Sequence, residues 1–119
     1  TALRDADRWP YCELLMTTHF DFSPAALAAL AQNDAARALA EDVGAGDLTA
    51  GLIDATAQAK ARVLAREAAV ICGAPWVQAT VQQVDPTVQI RWLVGEGQRC
   101  APDQVVLEMT GSARSLLTA

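Results

Sequence analysis

Apolar residues recur at helical spacing in the first half of the chain. Ser23 and Pro24 predict a helix start, because a serine side chain caps open amides and proline fits the first helical position. Leu27 and Leu30 follow on one face. The pattern therefore predicts a first helix over residues 24–32.

A second helix is predicted directly after the first. Asn33 or Asp34 can cap its amino terminus, and Gly44 is the expected residue at its carboxyl end, where a left-handed conformation closes a helix. Its apolar face consists of Ala35, Leu39 and Val43.

The period changes to two beyond Lys60. Residues 60–73 are rich in Val, Leu and Ile, which predicts a single strand with a bulge at residues 66–68. Lys60, Arg62 and Arg66 are expected on one face of this strand. The other face is predicted to carry Ala61, Val63 and Ala65.

A short helix and two further strands complete the pattern. Pro75 predicts the start of a helix, and Asp85-Pro86 predicts the turn after it. Alternation over residues 88–94 predicts one strand, and QVVLEM, residues 104–109, is interpreted as another. Ser112 predicts the cap of a last helix. The apolar stripe of the helix opened by Pro75 is predicted to contain Trp76, Val77, Val81 and Val84.

Composition narrows the class of protein. The 119 residues suit one domain with a modest core, and the formal net charge is −5. The absence of a basic stripe argues against nucleic-acid binding, and no apolar run reaches the roughly 18 residues that span a bilayer. We therefore expect a cytoplasmic, soluble protein with neither a nucleic-acid nor a membrane partner.

The cysteines and the single histidine do not form a metal-binding pattern. Cys12, Cys72 and Cys100 are widely spaced, and only His19 could join them. A zinc site needs four ligands with closely spaced pairs, so no metal site is predicted. Three unpaired thiols in a reducing compartment are the expected state.

The segment EDVGAGDLT, residues 41–49, is the most unusual stretch of the chain. A phosphate-binding loop places glycines before a helix, whereas these glycines follow one and are flanked by carboxylates. The ligand spacing of a calcium loop is also missing. We therefore predict that Gly44 ends a helix and that Asp47, followed by Thr49, caps the next turn.

Two family resemblances follow from longer stretches. VGEGQRCAPDQVVLEM, residues 94–109, resembles the lipoyl and biotinyl carrier pattern, but the chain has no lysine beyond Lys60 to carry the modification. Residues 38–119 resemble the amino-terminal domain of quinolinate phosphoribosyltransferase. The segments that carry this resemblance are EDVGAGDLT at residues 41–49, AREAAVICG at 65–73 and GSARSLLT at 111–118.

The second resemblance implies a fold and a reaction. The implied fold class is α+β, an amino-terminal open-faced sandwich of antiparallel strands with helices, of the hammerhead or barrel-sandwich kind, followed in the family by a larger α/β barrel. The implied enzyme converts quinolinate and phosphoribosyl pyrophosphate to nicotinate mononucleotide, CO2 and pyrophosphate in NAD biosynthesis. It uses Mg²⁺ with phosphoribosyl pyrophosphate, and it is a homodimer in which the sandwich domain contacts the partner's barrel.

The resemblance places no catalytic, substrate-binding or metal-binding residue in this chain. Both substrates are polyanions that require many bases, and the family's basic residues lie in the barrel and on the helix after the Leu-Leu-Thr motif. Arg114 is the one candidate for a position near the partner's site, the alternative being a structural or surface role. The chain alone is expected to be inactive.

The domain boundaries are expectations too. Residues 1–15 are interpreted as a possible non-native extension before an initiator at Met16, and residues 16–119 as the sandwich domain without its barrel. Removal of a barrel would expose apolar surface and favour self-association. The alternatives to a piece of this enzyme are a non-enzymatic barrel-sandwich interaction module and the related molybdenum-uptake-linked branch of the family.

Four side chains allow two interpretations. Arg66 and Glu67 could form an ion pair at a domain or subunit contact, or they could lie on a solvated strand edge. Trp76 and Trp92 lie on predicted apolar faces, which favours core packing over a ligand pocket.

Overall fold

Residues 20–119 are the part of the chain that the computed structural model describes. The predicted extension at residues 1–15, Met16, Cys12 and His19 lie outside these residues. Four helices and five strands occupy the described part, in the order α1 Pro24–Asp42, α2 Leu48–Gly51, β1 Gln58–Leu64, β2 Ala69–Val70, α3 Ala74–Val84, β3 Gln89–Trp92, β4 Arg99–Cys100, β5 Val105–Ser112 and α4 Ala113–Thr118.

The first helix is one element rather than the two that were predicted. The hydroxyl of Ser23 accepts a hydrogen bond from the amide of Ala26 at 3.3 Å, which confirms the predicted start. The helix continues through Asn33 and Asp34. The carboxylate of Asp34 does not cap a new helix: it accepts hydrogen bonds from the indole of Trp76 at 3.0 Å and from the guanidinium of Arg37 at 2.7 Å. Gly44 has a φ of 53°, as predicted for the turn that follows the helix.

The main sheet has three antiparallel strands in the order β1-β5-β3. Residues paired across neighbouring strands point to the same face, and successive residues alternate between faces. The inner face turns toward α3, whose Val77 and Val81 lie across a cavity from Leu107 and Met109 of β5. The opposite side, which we call the open face, carries Gln58, Lys60, Arg62, Gln89, Arg91, Glu108, Thr110 and Ser112.

The prediction of one strand over residues 60–73 is wrong. β1 ends at Leu64, because the backbone of Ala65 bonds to two residues of the loop before β5: its amide donates to Gln104 and its carbonyl accepts from Asp103. The chain then turns, and β2 pairs with β4 in a separate two-stranded sheet. The register shift lies between Val63 and Leu64, ahead of the predicted bulge.

This break also moves Arg66 off the face that was predicted for it. Arg66 lies in the turn after β1, and one of its guanidinium nitrogens is 3.9 Å from a carboxylate oxygen of Asp103. Both side chains are largely exposed, so the pair contributes little to stability. Glu67 is exposed beside it, and the structure pairs Arg66 with Asp103 instead.

Two small apolar clusters hold the described residues together. Ala31, Ala35 and Ala79 are buried between α1 and α3, with Trp76 packed against them. The second cluster consists of Val94, Cys100 and Val106, against which Trp92, Ala65 and Ile71 pack. Both tryptophans therefore pack on core clusters, as predicted. Within residues 20–119, no helix combines the length and apolar character needed to cross a bilayer.

Candidate functional site

Asp47 connects the start of α2 to the last helix of the chain. One oxygen of its carboxylate accepts hydrogen bonds from the amides of Thr49 and Ala50, both at 3.0 Å, and the other accepts one from the hydroxyl of Thr118 at 2.9 Å. The amide of Ala50 and the hydroxyl of Thr118 hold the pKa of Asp47 below its ordinary value. The predicted capping role of Asp47 is confirmed.

Polar contacts help to hold α4, none of whose residues is fully buried. The hydroxyl of Ser115 donates to the carboxylate of Asp85, at the end of α3, at 2.7 Å. The pKa of Asp85 is lowered first by the hydroxyl of Thr87 and then by that of Ser115. Ser112 occupies the cap position of α4, but its hydroxyl makes no capping bond, which corrects the prediction for that side chain.

Arg114 lies at the junction of α4 and the turn after α2. Its Nε donates a hydrogen bond to the carbonyl of Ile53 at 2.6 Å, and the residue is half-buried. This contact ties α4 to the segment behind α2 and gives Arg114 a structural role within the chain. Its predicted place near a partner's site stays a prediction.

An apolar groove of about 480 Å³ opens between the end of β1, the β2 segment and α3. Several of its walls are exposed to solvent: Val70 is 54% exposed and Val63 is 45% exposed. Trp92 reaches its floor from β3, so this tryptophan also lines a cavity, which was the alternative considered for it. The groove is therefore suited to an apolar surface and offers few hydrogen bonds.

The amino terminus of α3 lies beside this groove, and a carboxylate of the chain itself binds there. The carboxylate of Glu96 accepts hydrogen bonds from the amides of Gly73, at 3.0 and 3.1 Å, and of Ala74, at 2.8 Å. These amides, that of Gly73 first, keep the pKa of Glu96 below its ordinary value. Because the chain's own carboxylate occupies these donors, this helix end is not a phosphate site.

Three leucines project into solvent: Leu48 on α2, Leu52 directly after α2 and Leu117 on α4. Leu48 is 89% exposed, Leu52 is 88% exposed and Leu117 is 57% exposed. The two helices contact each other, so these side chains belong to one packed unit. Strongly exposed large apolar side chains on neighbouring helices are typical of a surface that another protein surface covers.

The chemistry available to the described residues is limited. Across residues 20–119, no group of three or more His, Cys, Asp or Glu side chains is arranged to hold a metal ion. Cys100 is buried and Cys72 is exposed. What these residues offer is a positioned set of helices, an apolar groove and a charged sheet face.

Sequence reasoning missed the residues that fix α4. Thr118 and Asp47 both belong to the segments that carry the family resemblance, but no local pattern shows that they meet. Glu96 had a weaker signal, since an acid between two glycines in a turn can reach open amides elsewhere. Ser115 had none.

Comparisons with known proteins agree with this architecture. A model of the quinolinate phosphoribosyl transferase N-terminal domain matches residues 47–119. A probable nicotinate-nucleotide pyrophosphorylase (carboxylating) of Synechocystis is 39% identical over 80 residues, which are 67% of this chain and 27% of that protein. The chain thus spans about a quarter of the length of that curated relative.

Solved structures show the same fold. The nicotinate-nucleotide pyrophosphorylase from Francisella tularensis is 30% identical, with a TM-score of 0.74, over 76% of this chain and 32% of that one. NadC from Streptococcus pyogenes is 31% identical, with a TM-score of 0.71, over 84% of this chain and 35% of that one. The predicted fold class, α+β with an antiparallel sheet and helices, is confirmed.

Proposed function

The chain belongs to the quinolinate phosphoribosyltransferase N-terminal domain family, and we propose that it serves as the amino-terminal part of an enzyme that makes nicotinate mononucleotide. The proposed reaction joins quinolinate to phosphoribosyl pyrophosphate and releases CO2 and pyrophosphate. This reaction supplies NAD biosynthesis.

One observation carries the proposal. The family match covers residues 47–119 and includes the whole network that positions α4, from Asp47 through Arg114 to Thr118. The relatives are nicotinate-nucleotide pyrophosphorylases, which favours this reaction over the molybdenum-uptake-linked branch and over a stand-alone interaction module.

The proposed role of the chain is to bind and position rather than to catalyse. The exposed leucines at residues 48, 52 and 117 and the apolar groove offer surface for a second domain and for a partner subunit. In a homodimer of the proposed kind, this domain contacts the barrel of the partner. Arg114 would then act through α4, by holding the helix against the turn at Ile53.

Mg²⁺ enters the proposal only as the companion of phosphoribosyl pyrophosphate. Residues 20–119 contain no cluster of carboxylate, thiol or imidazole groups that fits a resident metal ion, so no step of this chain is assigned to one. A cytoplasmic location is part of the same proposal, because the substrates are soluble metabolites.

A chimera tests the proposed function directly. The aligned amino-terminal segment of the Synechocystis relative is replaced by residues 38–119 of this chain, and formation of nicotinate mononucleotide from quinolinate and phosphoribosyl pyrophosphate is measured. We expect activity in the chimera and none in this chain alone. The relative without its amino-terminal segment is the control for residual activity.

Two outcomes decide the matter. A folded chimera that forms nicotinate mononucleotide supports the proposal. A chimera that is folded and dimeric but releases neither CO2 nor pyrophosphate contradicts it, and would favour the interaction module.

A further inference from the structure

The first helix, α1, is held to the rest of the described chain by a single neighbour. Among residues 20–119, α1 makes extended contact with α3 alone. By contrast, the much shorter α4 contacts α2, α3, β1 and β5. With 19 residues, α1 is the longest element in this part of the chain, so its attachment is slight for its size.

Small side chains make the apolar contact between α1 and α3. Ala31 and Ala35 of α1 and Ala79 of α3 are its buried residues, and Trp76 packs against them. The leucines of α1 add little, since none of them is buried. Because hydrophobic stabilisation scales with the apolar area removed from water, this contact holds α1 weakly for a helix of its length.

Two polar contacts supplement the alanine cluster. The indole of Trp76 donates a hydrogen bond to the carboxylate of Asp34 at 3.0 Å. The side-chain amide of Gln83 donates to the backbone carbonyl of Gln32 at 2.9 Å and to its side-chain oxygen at 2.8 Å. The glutamine contact is exposed, so water competes for the same groups and its contribution is small. The bond from Trp76 to Asp34 is therefore the main directional link between the two helices.

Residues 44–46, which we call the hinge, join α1 to the following segment without packing against it. All three residues are exposed, and a Cβ atom at Gly44 or Gly46 would meet nothing within 4 Å. Glycine also permits a wide range of backbone angles. Directly after the hinge, the carboxylate of Asp47 is bonded to the hydroxyl of Thr118 on α4. The chain can therefore bend ahead of Asp47 and is anchored from Asp47 onward.

We propose that α1 is a strap that opens as a unit: it leaves α3 by movement about the hinge while the sheet, α3 and α4 stay folded. Local opening of this kind occurs where few buried apolar contacts hold an element. Opening uncovers the face of α3 that carries Ala79. It also removes one wall of a cleft of about 410 Å³, which Ala28 and Gln32 of α1 form with α3.

The support of α3 from its other side makes such an opening possible. Val77 and Val81 of α3 face the sheet beside Leu107 and Met109 of β5, so α3 keeps a packed side when α1 leaves. In the described part of the chain, α1 has no second element of comparable contact to hold it. The alternative is one cooperative unit, in which α1 is lost only when the whole fold unfolds.

Native-state hydrogen exchange of the 119-residue chain tests the proposal, followed by NMR in urea concentrations below the unfolding transition. An isolated helix protects its amides only weakly, so a detached α1 exchanges. Corrected for intrinsic rates, the amides of Ala31 and Ala35 should exchange about 100-fold or more faster than those of β5, with a smaller urea dependence. Amides in the middle of α1 should share one opening free energy.

A variant in the anchored part separates the two possibilities. Thr118→Val removes the bond to Asp47, which persists when the strap is open. It should therefore speed exchange in β5 about fivefold and leave exchange in α1 unchanged, because it destabilises the closed and open states equally. In one cooperative unit, the same variant would speed exchange in β5 and α1 alike.

Variants at the contact between the helices test what closes the strap. Trp76→Phe removes the indole donor and keeps an aromatic ring, and Asp34→Ala removes the acceptor. Each should speed exchange in α1 about tenfold, because the closed state alone contains this bond. Arg37→Gln is the matched control: it removes the other partner of Asp34, which lies on α1 itself, and should leave exchange in α1 unchanged.

Three results would overturn the proposal. The first is an equal exchange free energy and urea dependence in α1 and β5, and the second is a Thr118→Val variant that speeds both alike. The third is unchanged exchange of α1 in both Trp76→Phe and Asp34→Ala, which would mean that its amides open by fraying without leaving α3. Two variants at one contact keep the test decisive if either does not fold.

Discussion

The hydroxyl oxygen of Thr118 lies 2.9 Å from a carboxylate oxygen of Asp47, although 71 positions separate the two residues. The other oxygen of the same carboxylate caps α2 through the amides of Thr49 and Ala50. One side chain therefore fixes the start of α2 and the last turn of α4 together. Because α4 has no fully buried residue, such contacts contribute to its position alongside its partly buried side chains.

Replacement of Thr118 tests this connection. Thr118→Val keeps the shape of the side chain but removes its hydroxyl, so the free energy of unfolding should fall by about 1 kcal/mol. Thr118→Ser keeps the hydroxyl and should recover most of the loss. Urea denaturation followed by circular dichroism measures both, and a Ser variant no more stable than the Val variant would argue against the bond.

Stability should depend on pH below about pH 4. Hydrogen bonds hold the pKa values of Asp47 and Asp85 below 3.8, so the unfolded chain takes up protons first as the pH falls. The contribution of these carboxylates is complete above the unfolded value and is lost as the pH falls through the lowered folded values. Thermal midpoints measured between pH 2 and 7 should show a plateau and then a decline.

Amide variants separate the contributions of the two carboxylates. Asp47→Asn and Asp85→Asn cannot titrate, so each should flatten part of the acid decline, and the double variant should flatten more than either. Both carboxylates bond to α4, through Thr118 and Ser115, so their effects should be coupled rather than strictly additive. Identical slopes in wild type and double variant would place the acid sensitivity elsewhere.

Local signals in the sequence predicted the ends of elements well. Ser23, Gly44, Asp47 and Pro75 each act on groups within a few residues, so their roles follow from backbone chemistry alone. Contacts between distant residues decided the rest. Asp34 caps no second helix: one oxygen of its carboxylate accepts a hydrogen bond from the indole of Trp76, 42 positions away, and the other accepts one from Arg37.

The main strand error has the same origin. Residues 60–73 are uniformly favourable for a strand, but the backbone of Ala65 pairs with residues 103 and 104, and the chain then changes sheets. The charged face of the main sheet was harder to predict from the sequence, because it forms only when β5 lies between β1 and β3. The sequence predicted that Lys60 and Arg62 share one strand face. It could not predict that Arg91 lies on the same face of the sheet, because that depends on the strand register.

Gly111 is required by a close approach of two backbone segments. A Cβ atom there would lie 2.8 Å from Cγ2 of Val88 and 3.2 Å from its Cα, and the second contact cannot be relieved by a rotamer change. Gly111→Ala should therefore lower the free energy of unfolding by about 2 kcal/mol. Gly51→Ala is the matched control, because a Cβ atom there meets nothing within 4 Å and favours the helix. Equal stability of both variants in urea denaturation would refute the packing argument.

The exposed leucines should make the chain self-associate. Sedimentation of the wild type at rising concentration should show reversible association, and the double variant Leu48→Gln/Leu52→Gln should sediment as a monomer. Leu30→Gln is the control, since Leu30 is 49% exposed on α1, away from this unit. A wild-type chain that stays monomeric at high concentration would show that these leucines do not form a self-association surface.

The buried alanines between α1 and α3 determine how closely these two helices pack. Ala31, Ala35 and Ala79 are at most 4% exposed, and Trp76 closes the gap beside them. Side chains this short allow the two helix axes to lie close together. A larger residue at these positions should push the axes apart and strain the bond from the Trp76 indole to Asp34, which joins the same two helices. These three alanines therefore fix the distance between α1 and α3, and few other residues at these positions would preserve it.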